Sequence, residues 1–207
     1  MSLTPRTTCA LMVSIAALYV AGCSRTPPRV YPPGINSSAG DDAIEQYDAN
    51  GDGQIAGEEL DKVPGIKGAL ENIDTNGDGA VTADEIYERI GAWEKSKLGR
   101  TSATIRITHD GKPLAGAIVK MVPEDFLGDE IQAASGQSNE AGVATMNIPL
   151  ENDPEKIGGM QVGLYRVEIT KPGEDIPAKY NTQTELGVEI AQDAAGSEEG
   201  IQIDLEY

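Results

Sequence analysis

Two copies of one twelve-residue pattern constrain this chain more than any other feature. The first copy runs from Asp48 to Glu59 and the second from Asp74 to Glu85. In both copies, oxygen-bearing side chains stand at the first, third, fifth and last positions, with glycine at the sixth and an aliphatic residue at the eighth. Calcium prefers roughly six to eight oxygen ligands in a flexible geometry, and this spacing can wrap a short loop around one ion. The pattern therefore predicts two calcium ions, one in each copy.

The two copies resemble the calcium-binding loops of the EF hand. That resemblance implies ligation by three side chains, by the backbone carbonyl of the seventh residue and by both carboxylate oxygens of the final glutamate. The implied ligands are Asp48, Asn50, Asp52, Gln54 and Glu59 in the first copy and Asp74, Asn76, Asp78, Ala80 and Glu85 in the second. Gly53 and Gly79 stand where the loop bends with a positive φ, which glycine adopts at low cost. The alternative is a solvated acidic turn, since Asn-Gly and Asp-Gly are also hairpin residues.

The short connection between the copies, residues 60–73, predicts a compact pair with short helices. Pro64 and Gly65 interrupt this connection, because proline does not fit inside a helix. We expect Ile55 and Val81 to face each other in the short β-bridge that joins paired loops. Compactness favours a structural calcium module over a sensor, which opens long helices to expose a methionine-rich groove. A dockerin-like pair is the rival interpretation.

The helices around the loops follow from caps and apolar spacing. Asp41 or Asp42 is expected to cap the helix before the first copy. The last helix is predicted from Ala83 to about Lys97. The apolar residues predicted to form the core of this part are Leu60, Ile66, Leu70, Ile73, Ile86, Ile90 and Trp93.

Residues 1–22 have the composition of an export signal. Cys9 to Ala21 is an apolar run of 13 residues, whereas about 20 are needed to span a bilayer. The segment ends in Val20-Ala21-Gly22-Cys23, which resembles the bacterial lipobox. The resemblance implies that Cys23 is acylated, becomes the first residue of the mature chain and anchors it to the bacterial cell membrane or outer membrane. The alternatives are an ordinary secretory signal and a plain transmembrane anchor.

Residues 23–40 are rich in proline, glycine and serine. Such chain is extended, at about 3.1 Å per residue where proline dominates. We therefore predict a tether between the lipid and the folded part. The alternative is that this segment packs against the next domain.

From Thr101 onward the hydrophobic period changes to two, the period of a strand. The predicted strands cover residues 104–108, 117–122, 130–137, 143–148, 164–170, 186–190 and 201–205. Tyr165, Val167 and Ile169 are expected to face inward, as are Leu186, Val188 and Ile190. Residues 110–113 are expected to form a turn. Seven short strands separated by glycine and proline turns predict a β-sandwich.

Three segments of this half resemble the carboxypeptidase regulatory-like, transthyretin-related sandwich. They are Thr104 to Val119, Gly136 to Gly142 and Gly163 to Val167. The resemblance implies a structural or adhesive module. The enzymatic member of that group uses two histidines and an arginine, whereas this chain has one histidine, His109.

Composition excludes several classes of function. The chain has 34 acidic and 16 basic side chains, so it lacks the basic footprint of a nucleic-acid-binding protein. Its two cysteines, Cys9 and Cys23, leave no disulfide framework for the folded part. His109, interpreted as a turn residue, leaves no His/Cys zinc site and no Cys-His nucleophile pair. We expect no enzymatic activity.

These observations predict an α+β multidomain chain. Its parts are a lipoprotein signal peptide (1–22), a tether (23–40), a small α-helical EF-hand pair (41–99) and an all-β, seven-stranded transthyretin-like sandwich (100–207). The predicted function is that of a calcium-binding cell-envelope lipoprotein with a structural or interaction role. The alternative is a calcium-dependent, dockerin-like or adhesin-like module that binds an envelope glycan or protein. The predicted partners are the membrane, through lipidated Cys23, and an unidentified protein or glycan.

Overall fold

The structure is a computed structural model that describes residues 30–153, 155–196 and 199–207. The predicted signal peptide, Cys23 and the first part of the predicted tether lie outside the described residues. Among the residues described, none of the helices combines the length and the apolar character needed to cross a membrane.

The first part of the fold consists of short helices around two loops, loop one (residues 48–59) and loop two (residues 74–85). Its elements are α1 (Ala39–Tyr47), β1 (Gln54–Ala56), a 3-10 helix (Gly57–Lys62), α2 (Pro64–Gly68), α3 (Leu70–Ile73), β2 (Ala80–Thr82) and α4 (Ala83–Ser96). β1 and β2 pair antiparallel, and Ile55 lies opposite Val81 as predicted. Ile55, Val81 and Trp93 are all buried.

Two helix boundaries differ from the prediction. α1 begins at Ala39 after Ser38, so the predicted cap at Asp41 or Asp42 is wrong. Both aspartates lie in the first turn instead, where negative charge complements the helix dipole. Pro64 is the first residue of α2, a position where its missing N–H costs no hydrogen bond. It starts a helix where the sequence predicted only an interruption.

The second part of the fold is made of β-strands. They are β3 (Ala103–His109), β4 (Lys112–Pro113), β5 (Ile118–Pro123), β6 (Ala134–Gln137), β7 (Val143–Met146), β8 (Gly163–Thr170), β9 (Gly187–Ile190) and β10 (Ile201–Leu205), with short 3-10 helices at Asp125–Leu127 and Ala178–Tyr180. The described residues thus contain eight strands here, against the seven predicted. The additional strand is β4, because only Asp110 and Gly111 of the predicted turn adopt positive φ, and the next two residues pair back onto β3.

These strands form two sheets. In one sheet β3 is central, with β10 parallel on one side and β4 and β7 antiparallel on the other. The other sheet has the order β6-β5-β8-β9, and all its pairs are antiparallel. A bridge between Ser135 and Asn147 joins the two sheets at one corner. Helices followed by β-sheets are therefore confirmed as the fold class.

Burial along the strands follows the predicted alternation in β8 and only in part in β9. Tyr165, Val167 and Ile169 are fully buried, as predicted. In β9, Ile190 is buried as predicted, whereas Leu186, just before the strand, and Val188 are only half-buried and Glu189 is buried. The reason is that β9 is the edge strand of its sheet and its Glu189 side chain is covered by the helices of the first part.

The helices and the sheets share one hydrophobic core. Their buried apolar residues belong to a single cluster. α2 lies directly on β9. The two elements are so close that a Cβ on Gly187 would collide with the backbone carbonyl of Pro64, and a Cβ on Gly68 with the carbonyl of Gly187. The segments predicted as two domains, 41–99 and 100–207, therefore pack tightly against each other.

The described part of the predicted tether also packs on the fold. Pro33 and Ile35 are buried, and the backbone carbonyls of Val30 and Tyr31 lie against Gly99. From residue 30 onward, therefore, the segment follows the alternative interpretation, in which it contacts the next domain.

Candidate metal centre

Loop one is shaped by hydrogen bonds from its own amides to its side-chain oxygens. The Asp48 carboxylate accepts from the Gly51 N–H at 2.6 Å and from the Gly53 N–H at 2.8 Å. Asn50 Oδ1 accepts from the Asp52 N–H at 2.9 Å. Gly51 and Gly53 have φ values of 77° and 85°, so the chain turns around the Asp48 carboxylate in a conformation that favours glycine.

Loop two repeats this conformation. The Asp74 carboxylate accepts from the Gly77 N–H at 2.7 Å and from the Gly79 N–H at 2.8 Å. Asn76 Oδ1 accepts from the Asp78 N–H at 2.8 Å. The sequence repeat is therefore also a repeat of backbone conformation.

A buried glutamate closes each loop. Glu59 is 7% exposed, and its carboxylate accepts from the Ala49 N–H at 2.8 Å and the Ala56 N–H at 3.1 Å. Glu85 is 6% exposed and accepts from the N–H and the hydroxyl of Thr82 at 3.0 and 2.9 Å. The Glu85 N–H donates in turn to the Thr82 hydroxyl, which forms a capping box at the start of α4. Each glutamate thereby connects the last position of its loop to the ninth position, and Glu59 also connects it to the second.

The loop amides also set the charge state of these carboxylates. A hydrogen bond from the amide at position six is the main cause of a lowered pKa at Asp48 and at Asp74. The Ala56 amide is the main cause of a lowered pKa at Glu59, against which the nearby Asp48 carboxylate acts. Donated hydrogen bonds favour the charged form, and the charged form is the one that binds a cation.

Five of the ten predicted ligands stand in each loop. Within residues 30–153, 155–196 and 199–207, no three or more His, Cys, Asp or Glu side chains are arranged around a metal position. Calcium binding therefore requires the carboxylates of a loop to converge on one ion, and each can keep an amide hydrogen bond as it does so, since an ionised carboxylate has about four acceptor sites. The predicted ligands of each loop are three carboxylates, one side-chain amide and one backbone carbonyl, and neither loop contains Lys or Arg. This set of hard oxygen donors fits Ca²⁺.

Comparison with known families agrees with this geometry. Residues 41–64 and 66–88 match the family model of the EF hand. EF hands bind calcium, so the match supports calcium as the metal of this region. It covers α1 through the first turns of α4 and none of the β-sheets. No curated protein matches the chain.

Sequence reasoning did not identify the polar residues that join the sheets to the loops. Glu189 of β9 accepts hydrogen bonds from Asn72, Arg89 and Trp93. In the sequence Glu189 stands between Val188 and Ile190 and so has the pattern of a solvent-facing strand residue. No local signal distinguishes it, because all three of its partners are distant along the chain.

A second buried carboxylate lies at the other end of the interface. Glu124, at the end of β5, is 1% exposed, and its Oε1 accepts from the Gly65 N–H at 2.6 Å. Burial raises the pKa of Glu124 to about 7, against the opposing effects of that hydrogen bond and of Arg166. Glu124 thereby satisfies an amide in the first turn of α2, which has no partner within its own helix.

The single histidine, His109, is the last residue of β3 and so precedes the turn in which it was predicted. Its ring stacks on Tyr207 with the ring centroids 4.1 Å apart. The carboxylates of Asp110 and Glu174 lie 3.6 and 3.7 Å from its nitrogens. Its surroundings are thus a stacked tyrosine and two acidic groups.

Proposed function

We propose that the chain binds two calcium ions, one in each loop, and that this calcium is structural. The observation that carries the proposal is the identical network of amides and carboxylates in the two loops, each closed by a buried glutamate. Three carboxylates in each loop repel one another without a cation, and a bound ion removes that repulsion.

The contacts between the helices and the sheets support a structural role over that of a sensor. α2 lies against β9 without a gap, through Gly68 and Gly187. Tyr47, the residue before loop one, packs edge-on against Phe126 at 6.4 Å between ring centroids. A sensor pair has to open its helices to expose a groove, and here such opening would break the shared core.

We further propose that the protein is a bacterial lipoprotein of the cell envelope, held by acylated Cys23. Each buried CH₂ of the acyl chains contributes about 0.8 kcal/mol to membrane binding. Because the chain already packs on the fold at Val30, only seven residue steps separate it from Cys23. At most about 25 Å of extended chain can therefore separate the fold from the lipid.

The β-sheets are proposed to be a transthyretin-related, carboxypeptidase regulatory-like sandwich without catalytic activity. Two sheets of short strands with a common apolar core support this proposal. The proposed role is to hold or contact another envelope component.

Calorimetric titration tests the two-site proposal. The parent chain should bind two calcium ions, and Glu59→Gln or Glu85→Gln should each weaken one site, because the final carboxylate supplies two ligand oxygens. Glu58→Gln and Asp84→Asn are matched controls, since they remove the same charge from the exposed neighbouring position. If the glutamate variants titrate like the parent, the ligand assignment is wrong.

Mass spectrometry of the intact protein tests the anchor. Protein extracted from the membrane fraction should begin at Cys23 and carry the mass of the acyl chains. Cys23→Ser should release the protein from that fraction. An unmodified Cys23 in membrane-bound protein would reject the lipoprotein proposal and leave the calcium proposal intact.

A further inference from the structure

One carboxylate of the β-sheets joins the two helices that flank loop two. Glu189 of β9 is 5% exposed, and its Oε2 accepts from Asn72 Nδ2 of α3 at 2.8 Å. Its Oε1 accepts from Arg89 Nε at 2.5 Å and from Trp93 Nε1 at 2.7 Å, both on α4. Asn72 stands two residues before Asp74, the first predicted ligand of loop two, and Arg89 four residues after Glu85, the last.

The charge of Arg89 strengthens the connection that Glu189 makes between α3 and α4. Arg89 is 8% exposed, and its two terminal nitrogens donate to the Asp193 carboxylate at 3.0 and 2.8 Å. Burial by itself lowers the pKa of Arg89, but the hydrogen bonds to Asp193 and Glu189 outweigh burial and raise it. A buried pair of opposite charges held by several hydrogen bonds resists separation, because either charge left alone is costly.

Loop one has no equivalent connection among the residues that the structure describes. Its flanking elements are α1 and the 3-10 helix Gly57–Lys62, and no side chain of the described β-strands donates to or accepts from either of them. α1 instead makes an apolar contact, between Tyr47 and Phe126 of the 3-10 helix Asp125–Leu127. The two loops are therefore alike in conformation, but only the helices around loop two are joined to a β-strand by side-chain hydrogen bonds among the described residues.

We propose that Glu189 is a positioning residue for calcium in loop two. It fixes the spacing of α3 and α4 before the ion arrives, and it couples calcium in that loop to the sheet that contains β9. The inference rests on the proposed function, since it presupposes that the loops bind calcium.

The physical reason lies in the geometry of the ion. Calcium needs its oxygen ligands at about 2.3–2.6 Å, so the start of loop two, after α3, and its end, in the first turn of α4, have to converge. A connection that already holds both helices removes part of the ordering cost from the binding step. Because coupling is reciprocal, calcium in loop two should also strengthen the attachment of α3 and α4 to β9.

The test places Glu189→Gln in two single-site backgrounds. In Glu59→Gln, which leaves loop two as the intact site, we expect Glu189→Gln to weaken calcium binding about tenfold. In Glu85→Gln, which leaves loop one intact, the change should stay within about twofold. Calorimetric titration of the full chain with calcium chloride measures both changes. An equal loss in the two backgrounds, or none in either, overturns the proposal.

The single tryptophan provides a second readout. In the Glu59→Gln background the Trp93 hydrogen bond is formed with and without calcium, so calcium should leave the emission maximum unchanged. With Glu189→Gln added, calcium should shift the emission, because the position of α4 relative to α3 then depends on the ion. Equal shifts with and without the added substitution contradict a connection that forms before calcium arrives.

Control variants separate positioning from general stability. Val119→Ala removes buried volume from β5, a strand that does not pair with β9, and it should lower the unfolding temperature while loop two keeps its affinity. If Glu189→Gln does not fold, Asn72→Ala breaks only the bond to α3 and should weaken loop two by about threefold. If Val119→Ala weakens loop two as much as Glu189→Gln, or Asn72→Ala leaves it unchanged, the proposal fails. A parent chain that takes up no calcium overturns the proposed function as well, whereas unselective effects overturn this inference alone.

Discussion

At the scale of single residues, the buried acids Glu124 and Glu189 connect the second part of the fold to the helices of the first part. Glu189 lies on β9 and Glu124 directly follows β5, and both bond to helices of the first part of the fold. A buried carboxylate is costly unless it is well bonded, so each makes the fit between helices and sheets specific. Their surroundings differ, because Glu189 directly bonds a buried arginine, whereas Glu124 lies 3.5 Å from the half-buried Arg166.

Glu124 should make stability depend on pH. The pKa of Glu124 is raised from 4.5 to about 7 in the folded protein. Its contribution to folding is therefore fully present below about pH 4.5 and is lost as the pH rises through about 7. With a chelator present to remove calcium, ionisation of Glu124 should lower the free energy of unfolding by on the order of 3 kcal/mol between pH 5 and pH 8.

Glu124→Gln isolates this effect, because glutamine keeps an acceptor for the Gly65 N–H but cannot ionise. The variant should lose much less stability between pH 5 and pH 8 in urea unfolding experiments. Glu130→Gln, at an exposed position, should keep the pH dependence of the parent. A variant at position 124 that follows the parent's curve would assign the pH dependence to other groups.

At this scale, sequence reasoning identified the candidate calcium ligands but not the side chains that connect the surrounding helices to the sheets. Asp48, Glu59 and their counterparts could be proposed as ligands because their spacing is local, and the two segments that contain them match the family model of the EF hand. Glu189 was not identified, since its side chain is buried by residues about a hundred positions away.

At the scale of elements, the close approach of α2 to β9 depends on two glycines. Gly187→Ala should lower the free energy of unfolding by more than about 2 kcal/mol, because the new methyl group would collide with the Pro64 carbonyl. The free energy of unfolding in urea measures this loss. A stability equal to that of the parent would show that the strand and the helix can separate without cost.

Gly91→Ala is the matched control with the opposite sign. Gly91 lies inside α4 with open space around its Cα. Alanine there should raise the free energy of unfolding by up to about 1 kcal/mol. The contrast between the two substitutions distinguishes a glycine required by packing from one that the helix merely tolerates. A loss of stability from Gly91→Ala would contradict the packing described for α4.

Strands were predicted well where one face is buried, as in β8, because alternation then records the burial. β4 and the burial of Glu189 in β9 were missed, since β4 forms only by pairing back onto β3 and the Glu189 side chain is covered by helices of the first part of the fold. The parallel pairing of β10 with β3 also has no local signal, because it joins strands from the two ends of the β region.

At the scale of the whole molecule, the shared core predicts cooperative unfolding. Thermal unfolding followed by Trp93 fluorescence, which reports the helical part, should coincide with the transition in far-ultraviolet circular dichroism. Two separated transitions would show that the helices and the sheets fold independently despite their common core.

Calcium should stabilise the whole molecule in this single transition. Calcium at about 10 to 100 times the dissociation constant contributes roughly 1.4 to 2.7 kcal/mol for each site. The expected dissociation constants are those of extracellular modules, on the order of 10⁻⁴ to 10⁻³ M. Potassium chloride at matched ionic strength should give a much smaller increase in unfolding temperature. The double variant Glu59→Gln, Glu85→Gln should respond to both salts alike, and an undiminished calcium response would place the stabilising ions elsewhere.

The sequence by itself determined the local features of this protein. They are the two acidic loops, their bridge at Ile55 and Val81, and the alternation of the clearest strands, because each depends on spacing within a few residues. Only the tertiary structure decided how helices and sheets combine: α2 against β9, Glu124 on Gly65, and Glu189 across both helices of loop two. These contacts join residues 59 to 123 positions apart, and their energies come from burial, which no short segment encodes. The loops therefore carry the calcium chemistry, and the sheets support the helices around them.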